Sequence, residues 1–191
     1  PMQIVTPRMG KPDIVHYQAP HSADAPAQMD ALLHWFNHSR TDGTDGLVRA
    51  AVAHLWFETI HPFEDGNGRV GRALAEQALA QDMRSSQRLF SLSTQLWQDR
   101  AGYYAQLQTA TSAAQTDITP WVQWFVARIQ GACDAAVNHM QTALARSRYW
   151  AQVNASHPQL GASQRKCLAR LLEAQPAGFA GGMSTEKFAK I

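Results

Sequence analysis

Cysteine is scarce in this chain. Cys133 and Cys167 are the only two among 191 residues, and they stand far apart, without metal-ligand spacing. Two such thiols fit reduced side chains better than a disulfide framework and point to a cytoplasmic setting. Long apolar runs are missing too, and none is of a length to span a bilayer. Nor does one sign of charge dominate: 17 Lys plus Arg against 15 Asp plus Glu gives +2, too little to advertise nucleic acid or a membrane surface as partner. Internal repeats and low-complexity tracts are absent. What is present is 45% apolar residues, with six Trp and seven Phe, sufficient for the core of one ordinary domain. Function then has to be sought in a site.

Along the chain, β-prone runs at Gln3 to Thr6 and Asp13 to Tyr17, parted by Pro7, Gly10 and Pro12, predict a hairpin. The rest reads as helix. Asp24 and Pro26 open a first helix with Met29, Leu32, Leu33 and Phe36 inward. Val48, Ala51, Val52, Leu55 and Trp56 fall at i, i+3, i+4, i+7 and i+8, one face of a second helix that stops before Pro62. A third begins near Asn67, a fourth covers about 95–109, and Thr119 with Pro120 starts a long fifth helix to about Trp150. Trp124, Phe125, Ile129 and Val137 give that fifth helix an apolar face. A last full helix is predicted over about 163–174. After a Gly-rich stretch, 184–191 reads as the start of another element.

The chemistry concentrates in His61-Pro62-Phe63-Glu64-Asp65-Gly66-Asn67-Gly68-Arg69-Val70-Gly71-Arg72. Two glycines around an asparagine let successive amide N–H groups converge on one point at a helix start, where the unpaired amides and the positive dipole end attract phosphate. Arg69 and Arg72, three apart, could clamp further phosphate oxygens. Asp65 is a hard carboxylate suited to Mg2+ bridging to phosphate. His61, four residues earlier, has an ordinary pKa of about 6.5 and can accept a proton near neutral pH. Phe63 is expected to bury its ring and fix the loop. His54, seven residues before His61 with Glu58 between, lacks the spacing of a zinc motif and is read as a packing residue.

This stretch resembles the signature of the Fic (Fido) family at every fixed position. The likeness extends over about 3–150, through Trp35-Phe36-Asn37, the His54 to Thr59 approach, Tyr103-Tyr104 and Asp117-Ile118-Thr119-Pro120-Trp121. It implies an all-α core with a small β-hairpin flap, and an enzyme that moves AMP from ATP to a Ser, Thr or Tyr hydroxyl of a target protein. By the same resemblance His61 is the general base and Asp65 binds Mg2+. Gly66, Asn67 and Gly68 hold phosphates through backbone and side chain, Arg69 and Arg72 bind the outer phosphates, and Tyr103 and Tyr104 lie beside the adenine. In related toxins that phosphorylate instead, lysine stands at the position of Gly68, so Gly68 favours nucleotidyl transfer. The hairpin at about 3–17 matches the flap that pairs with an extended target segment.

The likeness is closest to a branch whose inhibitory helix precedes the flap and whose core is followed by a winged-helix-like segment. No inhibitory pattern, Ser or Thr, three residues, then Glu followed by Gly or Asn, occurs in 1–191. The core is expected at 1–155, and 156–191 as the cut-off start of that segment. Its Arg165, Lys166, Arg170, Lys187 and Lys190 outweigh Glu173 and Glu186, and a complete segment could contact DNA or protein. A homodimer also fits the resemblance. Two other readings stand beside AMP transfer: removal of AMP or transfer of another phosphate-linked group on the same scaffold, and a non-enzymatic regulator acting through the basic tail.

Overall fold

A computed structural model describes residues 3–6, 8–85, 87, 89–112, 117–173 and 184–189, and of 3–6, 14–17, 187 and 189 only the backbone. Two antiparallel strands, β1 (Gln3–Thr6) and β2 (Ile14–Gln18), pair Ile4 with Tyr17 and Val5 with Val15, with an irregularity between Ile4 and Val5. Helices follow: α1 (Ala25–His38), α2 (Gly46–Ile60), α3 (Asn67–Asp82), α4 (Leu92–Gln98), α5 (Arg100–Ala110), α6 (Thr119–Ser156), α7 (Ala162–Glu173) and α8 (Thr185–Ala189). No helix among the described residues is long and apolar enough to cross a membrane. The chain divides into two compact units, Pro1–Ala136 and Val137–Ile191.

In the first unit, α2 is the central element. Asp45 starts it, its carboxylate accepting the amides of Leu47 (2.8 Å) and Val48 (3.3 Å). The sequence pattern assigns α2 one apolar face. Instead Ala50, Ala51, Ala53, Leu55, Phe57 and Ile60 are buried around the helix, along with Arg49, His54 and Glu58. The cause is its surroundings: α1 and α3 pack on it, and Trp121 of α6 donates its Nε1–H to the Ala51 carbonyl at 2.9 Å. Ala75 and Ala78 of α3 are fully buried and small, which suits close helix contact. Arg49 ties three helices, donating to Phe36 O (2.9 Å) and Ser39 Oγ (3.1 Å) at the end of α1 and to Gln81 Oε1 (3.1 Å) of α3. It thereby satisfies one of the last carbonyls of α1.

The single fourth helix predicted over about 95–109 is two helices. Asp99 breaks it, accepting the Gly102 amide at 3.2 Å as the cap of α5 while ending α4. Within α6, Trp121, Phe125 and Ile129 are buried, whereas Val137 is 45% exposed.

The second unit is held by its own contacts. Val153 of α6 and Cys167 of α7 are buried, and Arg146 reaches the Leu172 carbonyl at 3.3 Å. Arg165 donates to the Leu160 carbonyl at 3.2 Å and to Asn154 Oδ1. Both cysteines are free thiols. Lys190 and the Lys187 side chain lie outside the described residues.

Candidate active site

The loop of the signature joins the end of α2 to the start of α3, and both ends are fixed by backbone. His61 closes α2 in the left-handed conformation, φ 48° and ψ 57°, with its amide donating to Phe57 O at 3.0 Å. Such a conformation is unusual for a residue with a Cβ and turns the chain sharply out of the helix. Gly66 precedes α3 at φ 90°, where only glycine is free of strain, and its carbonyl accepts the amides of Arg69 and Val70, each at 3.0 Å. Asn67 and Gly68 occupy the first turn, where amides have no intrahelical acceptor and face outward along the helix axis.

Asn67 braces the loop from within. It is 3% exposed, its Oδ1 accepts the Phe63 amide (3.0 Å) and its Nδ2 donates to the Phe63 carbonyl (2.6 Å). Phe63 departs from expectation: its ring is 47% exposed and leans on Phe57 at 6.1 Å. What anchors position 63 is its main chain, bonded at both polar groups by Asn67.

The charged groups sit at different depths. Asp65 and Arg69 form an exposed ion pair, Oδ2 to Nη2 2.9 Å. Arg72 is half-buried, one turn further, and packs against Gly68, where an added Cβ would lie 3.1 Å from Arg72 Nη1. His61 is partly covered, its Nδ1 facing inward, 3.8 Å from Glu58 Oε2. Burial lowers the pKa of His61 below its ordinary value, with the Glu58 backbone acting the other way, so the ring is neutral near pH 7.

Tyr103 and Tyr104 occupy different places. Tyr103 is 8% exposed and its hydroxyl meets His54 Nε2 at 3.0 Å, beneath the loop. Tyr104 is half-buried, and Arg100 lies over its ring at 5.5 Å. His54 is fully buried, stacked on Trp121 with ring centroids 6.0 Å apart, a packing residue of the core. Among the described residues no group of three or more His, Cys, Asp or Glu is arranged to hold a metal ion.

Residues 4–79, which contain the loop from His61 to Arg72, match the model of the Fic/DOC family. The chain carries a Fic/DOC family domain. Curated relatives of this Fic segment include the protein adenylyltransferase fic-1 of Caenorhabditis briggsae, 30% identical over 139 residues, which is 73% of this chain and 25% of that protein. The protein adenylyltransferase Fic of Nematostella vectensis is 35% identical over 109 residues, 57% of this chain and 23% of the relative. The chain thus spans about a quarter of the length of the curated relatives it matches. Among solved structures, a Fic family protein from Desulfovibrio desulfuricans G20 superposes with a TM-score of 0.55 at 24% identity, covering 95% of this chain and 46% of that one. The fold is therefore the all-α Fic type.

One residue near the Fic loop escaped the sequence reading. Glu58 is buried at 4% exposure below His61, where sequence alone presents it as a polar position between two histidines. The available signal was spacing: His54 and Glu58 fall at i and i+4 on a mostly apolar helix, three residues before His61.

Proposed function

We propose that this domain transfers AMP from ATP to a Ser, Thr or Tyr hydroxyl of a target protein. The observation that carries the proposal is the convergence, on one loop, of a neutral histidine, the open first-turn amides of α3 and two arginines one turn apart. The first-turn amides of Gly66, Asn67 and Gly68 would bind phosphate oxygens, with the Asn67 side chain holding the loop in shape. Arg69 and Arg72 would take the outer phosphates. His61 Nε2, the ring nitrogen not turned toward Glu58, would take the proton of the attacking hydroxyl. The hydroxyl oxygen then bonds to the α-phosphorus, the bond to the bridging oxygen of the β-phosphate breaks, and pyrophosphate leaves.

Asp65 fits a role at Mg2+. It is a hard, exposed carboxylate paired with Arg69, and an exposed pair of that kind is worth only about 0–1 kcal/mol, so it can open to a cation. When bound, Mg2+ would neutralise charge on the phosphate oxygens. Tyr104, half-buried beside Arg100, suits the neighbourhood of the base better than Tyr103, whose hydroxyl is committed below. The hairpin β1–β2 has two outer edges and would take the target segment by strand addition, as a flap. The core assignment to 1–155 and a winged-helix-like start at 156–191 belong to the same reading. Arg165 is held by Leu160 and Asn154, which favours a structural role for that part of the tail over DNA contact.

The test is autolabelling with α-labelled and, separately, γ-labelled ATP, on wild type and His61→Ala. Label from the α position alone, lost in the variant, is the expected result. Label from the γ position would favour phosphate transfer, and α-label retained in His61→Ala would overturn the general-base assignment.

A further inference from the structure

Glu58 has no place in the chemistry above, yet it is the most unusual side chain near it. A carboxylate 4% exposed in a helical core is costly unless paired. Among the described residues its Oε1 and Nδ1 of His54 and of His61 are buried without a hydrogen bond of ordinary geometry, although the backbones of Gly71 and Glu58 lie near the two rings. His54 and Glu58 lie one turn apart on α2 and His61 caps its end, and the backbone of α3 passes directly over the first two: a Cβ at Gly71 would fall 2.9 Å from Glu58 Oε1 and 3.2 Å from His54 Nδ1. The groups facing Glu58 are His54 and His61 on α2, Arg72 on α3 and Tyr103 on α5. Tyr103 and Arg72 hold it from two sides, and Oε2 is left aimed at the His61 ring, 3.8 Å away. A purely structural residue here would be better apolar, since buried polar atoms without partners destabilise a core.

We propose that Glu58 is a positioning residue for His61, selecting the tautomer that carries its proton on Nδ1 so that Nε2 is free to take the hydroxyl proton. The inference rests on the adenylyl-transfer reading for its purpose, but its physical content, the state of the His61 ring, can be measured without turnover. A carboxylate behind a histidine fixes the free nitrogen outward, and loss of such support lowers turnover without loosening substrate binding.

The experiment uses the full chain labelled with 15N in histidine, the His61 signals being assigned by their loss in His61→Ala. In wild type the ring should be protonated at Nδ1 when neutral. In Glu58→Gln the two tautomers should mix. If α-label transfer is present, kcat should drop about 10- to 100-fold with KM for ATP within about twofold, and Glu58→Asp should recover part of it. Identical tautomer populations in wild type and Glu58→Gln overturn the proposal. Absence of α-label in wild type sinks the adenylyl-transfer reading alone, because the ring measurements still decide the role of Glu58. If Glu58→Gln fails to fold, wild type labelled also at the glutamate carboxyls decides: linked titration of Glu58 and His61 supports the pairing, and independent titration overturns it.

Discussion

Replacing Gly71 by alanine adds one methyl group at a close approach of α2 and α3, and two opposing magnitudes decide its effect. Alanine is the better helix former by about 0.8–1 kcal/mol. Against that, the new Cβ would sit 2.9 Å from Glu58 Oε1 and 3.2 Å from His54 Nδ1. Both neighbours are buried, and His54 is pinned between Tyr103, Trp121 and Phe125, so neither can withdraw cheaply. Overpacking of that kind costs about 1–3 kcal/mol, which leaves a net loss of up to about 2 kcal/mol. For a domain of this size that lowers Tm by a few degrees, at about 2–4 °C per kcal/mol. Gly131→Ala in α6 is the paired control. There the added Cβ would meet the Gln95 side chain, Oε1 at 3.0 Å and Cδ at 3.4 Å, the far end of a flexible group that can move aside. The helix preference should then prevail, with a gain of up to about 1 kcal/mol. Urea unfolding followed by tryptophan fluorescence gives both midpoints at comparable m. The two variants should shift in opposite directions. A Gly71→Ala chain as stable as wild type would refute the close approach.

Stability against pH offers a second check. Burial lowers the pKa of His54 from 6.5 to about 4, so the unfolded chain binds that proton first and stability is lost as pH falls from about 6.5 toward 4. Glu58 acts in the opposite sense: burial raises its pKa from 4.5 to about 7, the folded state holds the proton, and stability is lost as pH rises through that window. Glu58→Gln removes the second slope, so its stability relative to wild type should grow between pH 4.5 and 7, by about 1.4 kcal/mol per pH unit at most, in denaturant titrations at fixed ionic strength. Constancy of that difference across the window would refute the buried-carboxylate account. Trp121→Phe removes the 2.9 Å bond to the Ala51 carbonyl and part of a fully packed ring, and thermal melts should show a loss of about 1–3 kcal/mol.

The helices and the loop were legible in the sequence because their signals are local. Asn67 as the start of α3 follows from the glycines around it, and Pro62 limits α2 without reference to anything distant. Asp99 was missed because a capping carboxylate inside an apolar-periodic stretch looks like any other exposed acid until the backbone bends there. The burial of α2 on all sides was missed for a different reason: periodicity records one preferred face, while Arg49, His54 and Glu58 are buried only because distant segments, α1, α3, α5 and α6, supply what covers them. In the loop, residue type suggested a chemistry at single positions. The partners of Asn67 and Tyr103 were not, since a side-chain amide or phenol does not announce whether it faces a ligand or its own main chain.

The bracing of Phe63 by Asn67 makes the loop a counted object. With the main chain of position 63 joined to the side chain at 67, and His61 and Gly66 each tied to their own helices, no residue between them can be added without breaking a bond at one end. The turn at 41–44 before α2 carries no such double tie to α3 and should absorb an extra residue far more readily. The separation between the His61 ring and the first amides of α3 is thus set by chain arithmetic and by the spacing of two helices. It behaves as a ruler of fixed length rather than as a hinge.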